Sequence, residues 1–75
     1  MPSYEELQVI QTLNQMIESN EEFDNATKKL MEDMNKFPEF QEIGNNILQT
    51  ELDRLAKLTE EFKTIRSDLL QKSKE

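Results

Sequence analysis

Residues 35–46 read NKFPEFQEIGNN, and this stretch holds the chain's only interior proline, Pro38, and its only glycine, Gly44. Proline disfavours helical geometry in the residue before it and suits the first turn of the helix after it, so Phe37-Pro38 is expected to end one helical arm and begin another. The stretch then forms the corner of a hairpin. Phe37, Phe40 and Ile43 are expected to pack under that corner with Leu30 and Met34, in preference to standing out as aromatic anchors. Gly44-Asn45-Asn46 is a weaker punctuation, because glycine suits the position after a helix and asparagine caps the next one.

Working outward from the corner, the first arm carries Leu7, Ile10, Leu13 and Ile17 at spacings of three and four, and the phase continues through Asn20, Phe23, Thr27, Leu30, Met34 and Phe37. In the second arm Leu48, Leu55, Leu58, Phe62, Ile65 and Leu69 fit alternating heptad positions, with Leu52 supplying apolar surface beside Glu51. Asp53, Lys57, Glu60 and Lys63 fall between these positions as a solvated face. Strand signals are almost absent, since the chain has one valine and no alternating run bounded by turn residues.

The ends agree. Ser3 with Glu6 has the spacing of a capping box, so a helix is expected to begin near Tyr4. Lys72 and Lys74 sit where positive charge meets the negative end of a helix dipole. A second capping-box spacing, Ser19 with Glu22, offers a place where the first arm could stop and restart.

The predicted fold is all-α, one helical domain over residues 1–75: a long hairpin of helices near 4–36 and 38–72, with candidate breaks near 19–20 and 44–46. Folding one stripe on the other by mirror symmetry pairs Leu7 with Leu69, Ile10 with Ile65, Leu13 with Phe62, Ile17 with Leu58 and Phe23 with Leu52. Two helices bury one narrow seam. The apolar residues off the stripes, among them Val9, Met16, Met31, Ile47 and Leu70, widen each helix's apolar face, as in a four-helix bundle made from two hairpins. A compact three-helix bundle, broken at Ser19-Asn20, is the alternative.

Composition narrows the function. With no cysteine and no histidine the chain has no thiol nucleophile, no imidazole base and neither a disulfide nor a Cys/His zinc site, so catalysis and a cofactor are not expected. The paired carboxylates of Glu18 with Glu21 or Glu22, and of Glu39 with Glu42, read as solvated acids in preference to a metal site. The formal net charge is −7, and no Lys or Arg precedes Lys28, which argues against direct nucleic-acid binding. No apolar run is long enough to span a membrane, and the acidic start MPSYEEL is unlike a secretory signal, so a cytoplasmic protein is the expectation.

What remains is a non-enzymatic helical interaction module, an adaptor, small chaperone or assembly subunit with a protein partner, expected to be a homodimer. Its contact stripe is predicted to be Leu48, Leu52, Leu55, Leu58, Phe62, Ile65 and Leu69. The alternative is an acidic inhibitor or nucleic-acid mimic, viral in type, that sets Glu18, Glu21, Glu22, Asp24, Glu39 and Glu42 into a cationic groove of a target protein. Asn20 and Thr27 fall at core phase, where a buried asparagine can specify register.

Overall fold

The computed structural model describes residues 2–72. Helix α1, Tyr4–Met34, begins in the expected capping box: Ser3 Oγ accepts from the Glu6 N–H at 3.1 Å, and Glu6 Oε1 accepts from the Ser3 N–H at 3.3 Å. Glu5 and Glu6 lie in the first turn, where acid favourably meets the helix dipole. The helix runs unbroken through Ser19-Asn20, so the second capping-box spacing is not used. No cap competes successfully there because the apolar phase of the stripe carries straight through.

α1 ends two residues earlier than the expected Lys36, with Asn35 still right-handed and Phe37 extended at φ −116° and ψ 112°, the geometry that Pro38 imposes on the residue before it. A 3₁₀ turn, Pro38–Phe40, reverses the chain, and Gln41 Nε2 reaches back to donate to the Asn35 carbonyl at 3.0 Å. The candidate break at 44–46 takes the form of a π-helical segment, Ile43–Leu48, which leads without a gap into α2, Gln49–Lys72. Glycine and two asparagines are poor helix formers, so this is where the α-helical ladder most easily widens. Lys72 closes α2 as the dipole argument requires. Lys74 lies outside the described residues.

The two helices pack side by side as a hairpin extending 55 × 15 × 13 Å. Their register departs from simple mirror folding. Asn20 Nδ2 donates to Thr59 Oγ1 at 3.1 Å, Arg66 Nη1 donates to Asn14 Oδ1 at 2.7 Å, and Gly44 lies against Met34 and Asn35. The offset shared by these contacts sets Ile10 level with Leu69, Ile17 with Phe62 and Thr27 with Leu52, roughly one helical turn from the expected pairings. The reversal is centred on the 3₁₀ turn, past Phe37-Pro38, and moving the apex along the chain moves every pairing by twice as much.

The core is correspondingly thin. Ile10, Leu13, Ile17 and Leu52 are the buried apolar side chains among the described residues, joined by Thr27, Thr59 and Gly44. Thr27 satisfies its hydroxyl on the Phe23 carbonyl at 2.8 Å. The corner does not bury its apolar residues: Phe37 and Phe40 remain 51% and 43% exposed, and Ile43 is exposed as well. Gly44 is the corner residue that faces α1, and its small size lets the backbone take the place that the phenylalanines were expected to fill. Phe37 and Phe40 meet each other edge to face, ring centroids 6.1 Å apart, on the outside of the turn.

Candidate interaction surface

In an antiparallel helix pair the positions just to one side of the seam on each helix face their counterparts on one side of the pair. Here one such side is polar. Arg66 reaches Asn14, Glu21 lies 3.6 Å from Lys63, and Asp24 holds Lys28 at 2.8 Å beside the seam. A shallow concavity of about 230 Å³ lies on this side next to Asn20 and Thr59.

The opposite side of the hairpin is apolar and open. On α1 it is a ladder of side chains seven residues apart, Val9, Met16, Phe23 and Leu30, and all of them are exposed. Phe23, at the middle, is 61% exposed. The row next to the ladder on its outer edge is small and uncharged over Thr12, Ser19 and Ala26. On α2 the matching positions are Glu51, Leu58 and Ile65, and the last two are 42% and 46% exposed. Seven-residue spacing keeps each ladder on one side of a supercoiled helix, so the two ladders form one continuous face.

The predicted contact stripe therefore divides. Leu52 is buried and Leu48, Leu55, Phe62 and Leu69 are half-buried along the seam, whereas Leu58 and Ile65 stand on the open face. The heptad phase of α2 is carried inside the hairpin by Leu52, Thr59 and Arg66, two of them polar residues that an apolar search passes over. Their spacing of seven from Leu52 was the available signal. On α1 the missed feature is the ladder itself: the sequence reading sets Phe23 and Leu30 in the seam and Val9 and Met16 apart from it, although the four share one spacing.

The six acids of the alternative reading are dispersed. Glu21 and Asp24 are engaged by Lys63 and Lys28, and Glu18 and Glu22 are exposed along α1. Glu39 and Glu42 sit at the tip with Ile43 and Ile47, more than about 20 Å along the hairpin from Glu22 at 1.5 Å rise per residue. Among the described residues no group of three or more acidic, histidine or cysteine side chains is arranged to hold a metal ion, and no helix is long and apolar enough to cross a membrane. Comparison with known proteins finds no family model, no curated relative and no solved structure that matches this chain.

Proposed function

We propose that the protein is a non-enzymatic helical interaction module that binds a protein partner through the open face of the hairpin, completing a four-helix bundle with the helices it docks. The observation that carries this reading is the ladder from Val9 to Leu30 with Leu58 and Ile65 beside it. Its scale fits. The chain exposes 5932 Å², against about 4,800 Å² for a compact monomer of 8.9 kDa by the usual surface scaling. The excess is of the order of the roughly 800 Å² that each partner buries in a standard interface. A contiguous exposed apolar face is the kind of surface at which soluble proteins dock partners.

The test is partner capture with the native chain and with Phe23→Glu or Leu58→Glu, each placing a charge on the open face without touching the seam. Loss of the partner in both variants, with binding by the native chain retained in about 0.5 M salt, where surface charges are screened within a few ångströms, supports the helix-face reading. A partner that survives both substitutions and leaves in salt overturns it in favour of the acidic surface.

A further inference from the structure

Apart from the open face, the hairpin tip carries a second exposed apolar surface, and its charge is of one sign. We infer that the tip is the docking site of a short cationic amphipathic segment of a protein partner. The segment's apolar side chains lie on Phe40, Ile43 and Ile47, and its lysines or arginines meet Glu39 and Glu42.

The apolar part is built by the turn itself. Phe37 and Phe40 meet edge to face at 6.1 Å, and Phe40, Ile43 and Ile47 follow at spacings of three and four, which keeps them on one side of the chain as it passes into the π-helical segment. All four are exposed, and Ile47, at 59%, is more open than any other leucine, isoleucine or valine among the described residues. They stand outside because Gly44 is the corner residue that faces α1. A π-helical turn of this kind recurs at functional sites. The four side chains open on the order of 400 Å², within the range of patches that monomers use for binding and about half of what each partner buries in a standard interface. That extent suits a short segment better than the face of a folded domain.

The charge beside the patch selects the segment. Glu39, Glu42, Ile43, Asn46 and Ile47 line one concavity of about 350 Å³, so the carboxylates rim the isoleucines directly. Among the described residues neither glutamate forms an ion pair. No Lys or Arg lies between Lys36 and Arg54, and both of these are already held near acids, Lys36 3.5 Å from Asp33 and Arg54 3.8 Å from Glu51. The field at the tip is therefore negative, with no cation of the chain's own to answer it. A cationic amphipathic segment covers the apolar side chains and gains attraction from both carboxylates, whereas an acidic one is repelled and a neutral one gains burial alone. The same sign disfavours a membrane surface rich in anionic lipid.

The test uses synthetic helical peptides about three turns long that share one leucine pattern and carry lysine, glutamine or glutamate at every polar position. Each is titrated into the isotope-labelled full chain and followed by backbone amide chemical shifts. The lysine peptide is expected to bind with shifts centred on residues 39–47, and the glutamate peptide not to bind. The double variant Glu39→Gln with Glu42→Gln should weaken the lysine peptide about tenfold, the scale of two surface ion pairs, and Phe40→Ala with Ile47→Ser should weaken it at least as much. Both pairs are exposed, so the hairpin is left standing. Phe23→Glu, on the open face, should leave this binding unchanged, so the tip site and the open-face reading stand or fall separately. Equal binding of all three peptides, shifts centred on Glu18, Glu21 and Glu22 in place of the tip, or no shift at millimolar lysine peptide each overturns the inference.

Discussion

The side-chain amide of Asn20 donates to the hydroxyl of Thr59 at 3.1 Å, near the middle of an otherwise largely apolar seam. Thr59 is buried and Asn20 half-buried. Leucines at heptad spacing pack acceptably at several offsets one turn apart, whereas a slip of one turn takes this donor away from its acceptor and leaves both groups facing hydrocarbon. The bond thus favours one register among otherwise similar ones. With the Asn14–Arg66 contact it ties α1 to α2 at two levels.

If the pair specifies register at a cost in stability, removing one member and removing both have opposite consequences. Asn20→Leu and Thr59→Val are each expected to lose about 1–2 kcal/mol, the penalty of an orphaned partly buried group. The double variant Asn20→Leu with Thr59→Val is expected to match or exceed the native stability while losing the uniqueness of the seam. Chemical denaturation of the four proteins reads the coupling. Strictly additive losses would show that the two side chains do not act together.

Leu52 and Leu58 are the same residue six positions apart on one helix, and the hairpin treats them differently. Leu52 is buried in the seam, so Leu52→Ala should cost about 2–4 kcal/mol. Leu58 stands on the open face, and in dilute protein Leu58→Ala should change stability by less than about 1 kcal/mol. Denaturation midpoints at low concentration test the contrast, and equal losses would contradict the register.

A Cβ added at Gly44 lies 3.9 Å from Met34 Cβ and 3.9 Å from Asn35 Oδ1, ordinary van der Waals distances, and the glycine does not use a positive φ. Gly44→Ala is therefore expected to raise stability by about 0.5–1 kcal/mol through the lower backbone entropy of the unfolded chain. Gly44→Leu needs space between the helices that is not there and should lower it. A destabilised alanine variant would mean that the widened π-helical turn depends on glycine itself.

At the corner, Phe40→Ala is expected to cost no more than about 1 kcal/mol, the edge-to-face contact with Phe37 being its main loss. A loss near 3 kcal/mol, typical of a buried phenylalanine, would place the ring in a core that the hairpin does not provide. Urea titration of the variant at low concentration separates the two.

Much of this molecule follows from chemistry within a few residues. The Ser3–Glu6 cap, the extended Phe37 ahead of Pro38, the reversal beside it and the helical ladders on either side all depend on local hydrogen bonds and steric limits, so they are legible along the chain. What the chain alone leaves open is which apolar residues turn inward. On α1 the seam of Ile10, Leu13 and Ile17 and the ladder of Met16 and Phe23 are adjacent, similarly hydrophobic and of the same period. On α2, Thr59 and Arg66 occupy seam positions while Leu58 and Ile65 stand outside. Only the offset between the helices distinguishes these sets, and it depends on contacts between them: Asn20 on Thr59, 39 residues apart, and Gly44's bare backbone against the end of α1, which together place the apex at the 3₁₀ turn. Packing at one offset or the next differs by a few such contacts, so the choice was made where the helices meet.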